Sequence, residues 1–340
     1  MRIIAMGAGP IGGIIGGRLA HAGNPVTLVD VNPEHVRAIR EHGLEVNVPD
    51  GPFKVSVPTL FPDEVTGKFD LALIAVRSYD TPRVLSSLKS HLNQRAILVS
   101  LQNGINPPLL EELVGPDHAI GTVIRMRSRL LGPGRLETQA RGHLYVGHLH
   151  GRTTPQLTAV HGLFNSVIPT EITSNIFGFL WSKLTFTSLG LFEALSGVPL
   201  KEIWQSQPNR RLSMAFMAEL TAVGAAAGVR FEPLEEYDPS DFLPGRPYED
   251  RQSAFAEMAL NWKSDKPGNI ARALKSGLRT EVDFTVGHAV REGERVGIRT
   301  PICQAVVELI HEIEQGKRPP QLENYEGIAA AALRSPPPVD

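Results

Sequence analysis

Arg2-Ile3-Ile4-Ala5-Met6-Gly7-Ala8-Gly9-Pro10-Ile11-Gly12 follows the initial Met1, and its reading decides the fold. Arg2 to Met6 is short, apolar and branched, as a buried strand is. The glycine turn comes at once, then a helical stretch to about His21. Val26-Thr27-Leu28-Val29 reads as a second buried strand, and Asp30 ends it. Strand, glycine turn, helix, strand and acid in that order make a dinucleotide-binding unit. Gly7 allows the tight turn, Gly9 lets the backbone approach a pyrophosphate, and Gly12 lets the helix pack on the strand. The helix N-terminus adds N–H groups and a positive dipole end. Gly7, Ala8, Gly9, Pro10, Ile11 and Gly12 are therefore the expected cofactor turn. Gly13, Gly16 and Gly17 read as close packing.

Asp30 selects the nucleotide. A carboxylate about twenty residues past the glycines accepts hydrogen bonds from the adenosine ribose hydroxyls. It repels a 2′-phosphate, and Val31, Asn32 and Pro33 offer no cation to hold one. NAD(H) is favoured. NADP(H) stays open only through Arg37 or Arg40, which would have to bend back from the next helix. Asn32 is the better cap for that helix.

The rest of the chain fits an α/β protein of two domains. Its 340 residues suffice for both, and a net charge of -2 gives no sign of nucleic acid or a membrane surface. A single cysteine, Cys303, excludes an internal disulfide framework and a cysteine zinc cluster. No stretch is long and apolar enough to span a bilayer, and the N-terminal apolar run is explained by the strand and its glycines. A cytoplasmic protein is expected. No metal is expected, because no cluster of His, Asp, Glu and Cys has ligand spacing.

Strand-like runs continue: Leu44 to Asn47, Phe53 to Val57, Asp70 to Val76, Ala96 to Leu101, Ala119 to Ile124, Arg135 to Thr138 and His143 to Val146. Arg77 follows one of them and Gln102-Asn103-Gly104 another, at the carboxyl ends where open α/β sheets bind ligands. Near Thr170 the period changes to helical. Stretches from about Ile176 to Ser196, Gln207 to Ala227, Tyr248 to Asn261, Ile270 to Gly277, Glu281 to Gly293 and Pro301 to Gln315 follow. The expected division is a Rossmann-type domain over 1–170, an all-helical domain over 171–328 and a mobile tail over 329–340. The Pro- and acid-rich segment from Phe231 to Tyr248 reads as a long loop.

A Rossmann domain with a helical partner holds substrate in the cleft between them, so the helical domain must handle a proton. Lys183 is the candidate. It lies among Trp181, Leu184 and Phe186, where burying its charge is costly. The alternative is a lysine that snorkels to water along its stem. Thr187 lies one turn further on. Arg125, Arg127 and Arg129 alternate, so they would share a face if the segment is extended. Arg125 is then an anion ligand, or the three mark a solvated edge strand. His288 reads as a surface residue.

These residues resemble the ketopantoate reductase (2-dehydropantoate 2-reductase) family. The shared elements are the Gly7 to Gly12 turn, Gln102-Asn103-Gly104, Trp181-Ser182-Lys183-Leu184, Glu193-Ala194-Leu195-Ser196-Gly197 and Thr280-Glu281-Val282-Asp283. They occur in the family's order over nearly the whole chain. The resemblance implies a nicotinamide-dependent reductase that turns a 2-oxo acid into a 2-hydroxy acid. It makes Lys183 the general acid and Glu281 the residue that organises the site and holds the ammonium charged. It places Asn103 between nicotinamide and substrate, and Arg77 where the family has a cofactor-binding lysine. The family's substrate-facing positions fall on Thr187, Leu191 and Asn269, where it has asparagine, asparagine and serine. Asn269 reads equally as a helix N-cap after Lys266-Pro267-Gly268. These departures argue against ketopantoate and for a larger or more apolar oxo acid. A homodimer is compatible with the chain. Two other readings are an opine-type dehydrogenase, which normally relies on a histidine-centred site, and a dinucleotide-binding sensor without catalysis. The retained Lys183 argues against the first, and keeping both Lys183 and Glu281 argues against the second.

Overall fold

The computed structural model describes residues 1–234, 237–262 and 268–334; the side chains of residue 269 and of residues 331–334 lie outside that description. Two compact units divide at Met1–Phe177 and Gly178–Asp340, somewhat later than the period change at Thr170 suggests.

In the first unit the strands are β1 Ile3–Met6, β2 Val26–Val29, β3 Leu44–Asn47, β4 Phe53–Val55, β5 Thr59–Leu60, β6 Phe69–Ile74, β7 Leu92–Ser100, β8 Ala119–Arg125, β9 Ser128–Gly132, β10 Arg135–Thr138, β11 His143–Gly147 and β12 Thr170–Ile172. The helices are α1 Pro10–His21, α2 Pro33–His42, α3 Thr81–Leu88, α4 Pro107–Val114 and α5 Pro155–Asn165. The large sheet runs β12-β11-β8-β7-β6-β1-β2-β5. From β5 to β8 all neighbours are parallel. This is the doubly wound order of a Rossmann sheet, and it reverses between β1 and β6. Side chains along the strands alternate between two cores. Ile3, Ala5, Leu71 and Leu73 meet α1 and α5 on one face. Ile4, Met6, Ala72 and Ile74 meet α3 and α4 on the other.

A second sheet, β4-β3-β10-β9, packs on α1. A Cβ on Gly13 would sit 2.5 Å from Leu136 Cδ1, and one on Gly17 2.8 Å from Leu44 Cδ2. On the main-sheet side, a Cβ on Gly16 would sit 2.7 Å from Leu28 Cδ2. The glycine face of α1 is thus a packing surface, as its sequence suggests.

The second unit is helical: α6 Ile176–Ser188, whose first two residues belong to the first unit, then α7 Gly190–Ser196, α8 Leu200–Ile203, α9 Gln207–Ala226, α10 Tyr248–Asn261, α11 Asn269–Lys275, α12 Val286–Val296, α13 Pro301–Glu314 and α14 Asn324–Arg334. Three expectations change here. The stretch from Ile176 to Ser196 is two helices, broken at Leu189. Ser182, Thr185 and Thr187 hydroxyls donate to carbonyls of the preceding turn in α6, which bends helices. The tail expected from Ala329 is helical as far as Arg334, an alanine-rich run with high helix propensity. The segment from Phe231 to Tyr248 is packed rather than loose where described. Tyr237 is 5% exposed and its hydroxyl donates to Thr185 Oγ1 at 3.1 Å, while Thr221 Oγ1 donates to the Phe242 carbonyl at 2.8 Å. Burial pushes the Tyr237 phenol well up. Among the described residues no helix is long and apolar enough to cross a membrane.

Candidate active site

In the first unit the expected cofactor residues gather at the carboxyl edge of the parallel strands. Gly7 has φ +97°, and a Cβ there would lie 2.8 Å from the Ala75 carbonyl oxygen at the end of β6. A Cβ on Gly12 would lie 2.1 Å from the Gly7 oxygen, so the turn closes only on glycine. Gly9 is the N-cap of α1, and a Cβ there would point into open space with nothing within 4 Å. Pro10 is at N1, no acidic residue occupies the first turn, and the N–H groups of Ile11 and Gly12 face the helix entrance. This open, uncharged cradle fits a pyrophosphate.

Asp30 sits beside it. One carboxylate oxygen accepts the Ala8 N–H at 2.8 Å and the other the Asn32 N–H at 2.9 Å. Asn32 caps α2, accepting from Glu34 and His35 N–H at 3.0 and 3.1 Å. His35 was not singled out by its sequence context. Its Nδ1 accepts the Gly134 N–H at 3.0 Å, which leaves Nε2 to donate to the Ala8 carbonyl at 2.9 Å. The glycine turn is therefore held from both sides of Ala8. Arg40 is engaged elsewhere: its Nε donates to the Thr59 carbonyl at 2.7 Å, it pairs with Glu64, and it lies over the Phe61 ring. Arg37 is exposed on α2.

The turns after β6 and β7 are tied together. Gln102 donates to the Val76 carbonyl at 2.9 Å and to Thr81 Oγ1 at 2.7 Å. Buried Asn106 donates to the Asn103 carbonyl at 2.7 Å and to Ser78 Oγ at 3.1 Å. The side chains of Arg77 and Asn103 stay exposed on this fixed backbone. Arg125 ends β8, half-buried, at the same edge. The three arginines do not share one strand. Arg127 lies between β8 and β9, and Arg129 is in the second sheet, bonded to Glu137 at 2.5 Å. The chain changes sheets at Met126, which alternation along the sequence does not reveal.

In the second unit Lys183 is half-buried on α6. Thr187 donates its hydroxyl to the Lys183 carbonyl at 2.7 Å. Leu191 is 1% exposed and faces the interior; Gly190 instead continues the open face. His288 is half-buried rather than fully exposed. It stands 5.7 Å from the Trp181 ring, and burial chiefly, then Arg291, pushes its imidazole pKa down. Glu281 precedes α12, with its neighbours anchored. Thr280 N–H and hydroxyl both donate to Glu314 at 2.6 Å, and Asp283 meets Arg279 at 2.8 Å and His311 at 2.9 Å. The α11 helix begins at Asn269 with Gly268 in the cap position, so the cap reading of Asn269 moves one residue back. Its side chain lies outside the described residues. Among the described residues no group of three or more His, Cys, Asp and Glu is arranged to hold a metal.

Residues 3–151 match the model of ketopantoate reductase PanE/ApbA, and residues 175–314 match its C-terminal domain. The chain belongs to the ketopantoate reductase family. It is 29% identical to a 2-dehydropantoate 2-reductase of Pyrococcus abyssi, over 89% of this chain and 94% of the relative. It is 28% identical to one of Halobacterium salinarum, over 91% and 98%. Among solved structures it is similar to a PanE/ApbA family ketopantoate reductase from Ralstonia eutropha, with TM-score 0.80 and 27% identity over 93% of this chain and 99% of that one. A D-mandelate dehydrogenase solved with NADH and anilino(oxo)acetate has the same fold, with TM-score 0.79 and 21% identity over 93% and 99%. The chain is thus an oxidoreductase of ketopantoate reductase type with a Rossmann-like NAD(P)-binding unit.

Within the segment that resembles the family, one buried carboxylate ties helices together. Glu193, buried on α7, accepts the Leu200 N–H at 3.0 Å and the Gly268 N–H at 2.6 Å. It thereby ties the start of α11 to α7 and α8. Burial pushes its carboxyl above the ordinary range, against the two amide bonds. A raised carboxyl contributes stability at acid pH that is lost as pH rises from the ordinary glutamate range through the raised value. Glu193→Gln removes that dependence. Urea unfolding at several pH values should show the stability advantage of wild type over the variant shrinking as pH rises. An advantage that grows with pH would refute this reading of Glu193.

Proposed function

We propose that the chain reduces a 2-oxo acid other than ketopantoate to the 2-hydroxy acid, with NADH preferred to NADPH and Lys183 as general acid. The observation that carries the reading is the placement of Lys183 on the half-open face of an apolar helix whose other faces are largely buried. The first unit, residues 1–177, is the cofactor domain in this reading, and 178–334 the catalytic one. Gly7 to Gly12 hold the pyrophosphate, Asp30 the ribose hydroxyls, and Arg77 and Asn103 the nicotinamide half. The cofactor supplies the hydride.

Lys183 meets the charge that grows on the substrate oxygen and donates its Nζ proton there, so the carbonyl becomes an alcohol. Glu281 keeps the ammonium charged, which its anchored neighbours Thr280 and Asp283 help by limiting its freedom. Arg125 and Asn269 are the proposed ligands of the substrate carboxylate. Thr187 contacts the substrate body, together with Asn103.

Ketopantoate should be a poor substrate. Its hydroxyl needs polar partners, and a site lacking them discriminates strongly against it. Leu191 is interior and apolar, and the Thr187 proton is already given to the Lys183 carbonyl. Steady-state assays with NADH and NADPH over a panel of 2-oxo acids test the whole reading. The expected result is turnover of at least one other oxo acid with kcat/KM well above that for ketopantoate. Efficient ketopantoate reduction would show the pocket reading wrong, and no turnover of any oxo acid would refute the reductase.

A further inference from the structure

From Lys183 onward, exposure along α6 and α7 is confined to one row. Lys183, Phe186 and Thr187 are half-exposed at the i, i+3 and i+4 spacing of one face of α6, and half-exposed Gly190 follows at the start of α7. The residues between them, from Leu184 to Leu189, are buried to 1% or less. The row has apolar walls. Phe186 has the Trp262 ring at 5.5 Å, and Trp262 is itself braced edge-on by Trp204 at 5.4 Å. At the other end, among the described residues a Cβ on Gly190 would have only Ile270 Cδ1 nearby, at 3.6 Å. Ile270 is held in place through Gly268, which donates to buried Glu193. Apart from the lysine ammonium, the row's one hydroxyl, on Thr187, has its proton engaged with the helix backbone.

We infer that this row is the side-chain subsite, that it takes 2-oxo acids with a planar aryl substituent, and that Gly190 is the residue that admits them. The inference rests on the 2-oxo acid reductase reading above. The row runs from Lys183 at one end, past the Phe186 ring and Thr187, to a position over Gly190 that is open among the described residues. An aryl ring with its oxo group at Lys183 buries apolar surface against Phe186 and Trp262 and occupies the space that any residue larger than glycine would fill. A small substituent leaves that surface wet. A hydroxylated one brings a polar group to a row whose only neutral polar atom can accept but not donate.

Because one methylene in an apolar pocket already changes kcat/KM by roughly 10–200-fold, a ring should change it by at least about tenfold. Gly190 is helical and without positive φ, and an added Cβ makes only ordinary contacts, so substitution there should leave the fold intact. The test compares phenylglyoxylate with pyruvate on wild type, Gly190→Ala and Gly190→Leu, with NADH binding followed by fluorescence as the check on folding. Wild type should favour phenylglyoxylate by about tenfold or more. Gly190→Leu should lower that ratio by about tenfold or more, and Gly190→Ala by less, with NADH affinity retained. A wild type that turns over pyruvate as well as phenylglyoxylate, or a ratio that Gly190→Leu leaves unchanged, would overturn this inference alone. No turnover of either acid, or of any other 2-oxo acid, would overturn the reductase reading with it.

Discussion

Lys183→Ala is expected to lower kcat on the true substrate by about 10²–10⁴-fold, the usual worth of a positioned acid. Loss of the charge facing the forming alkoxide adds to that. The lysine is half-buried on α6, and the residues on either side of it, Ser182 and Leu184, are buried. In the proposed reading its ammonium is directed along the open row. The interaction strengthens as charge develops, so the defect belongs mainly in kcat rather than KM. NADH affinity should barely change, because the glycine turn and Asp30 belong to the other unit. The fold should survive as well, since the removed stem reaches a half-open face. Near wild-type kcat in this variant would make Lys183 a snorkelling residue and send the search for the proton donor elsewhere.

The second large effect is expected at Asp30. Wild type should bind NADH more tightly than NADPH, and Asp30→Ala should weaken NADH while sparing or improving NADPH. Hydrogen bonds to charged groups are worth roughly 1.5–3 kcal/mol each, so NADH affinity should fall by about one to two orders of magnitude. The structure adds a reason for the carboxylate to be well placed. It accepts N–H groups from Ala8 and Asn32, so it is fixed against the glycine turn before any nucleotide arrives. Its removal also leaves the Ala8 N–H without its acceptor, while His35 still holds the Ala8 carbonyl. Arg40 gives the 2′-phosphate no easy partner, being bonded to the Thr59 carbonyl and paired with Glu64. Fluorescence titration of wild type and variant with both reduced cofactors measures this directly. Tighter NADPH binding by wild type would point to Arg37 as the phosphate ligand.

How much of this could be read from the chain follows from the range of the interactions. Gly7, Gly12 and Asp30 act within one βαβ unit, so their spacing alone announced the nucleotide fold. The glycines at 13, 16 and 17 read as packing for the same reason. His35 and Asn106 are not legible in the sequence because each needs a distant partner, Gly134 for His35 and Ser78 for Asn106. Arg129 misled because alternation is blind to a change of sheet, and Glu137 is its partner only once β9 pairs with β10. The α5 helix carries a local signal in the sequence, a Thr154 N-cap followed by Pro155 at N1. In α14 the proline tail drew attention from the alanine run before it. Lys183 stood out as a charge in an apolar helix, but the open row around it depends on which sides of α6 are covered. No periodicity in the sequence reports that cover. His288 shows the same limit, since its partner Trp181 comes from a helix more than a hundred residues earlier.

The central claim is hydride transfer to the carbonyl carbon of a 2-oxo acid. The most direct test incubates the protein with NADH deuterated at its hydride-donating carbon and a panel of 2-oxo acids, phenylglyoxylate included, followed by mass spectrometry and NMR of the products. The account predicts a 2-hydroxy acid carrying deuterium on the former carbonyl carbon, formed by wild type and strongly reduced in Lys183→Ala. Absence of labelled hydroxy acid from every oxo acid tried, under conditions where NADH binds, would contradict it.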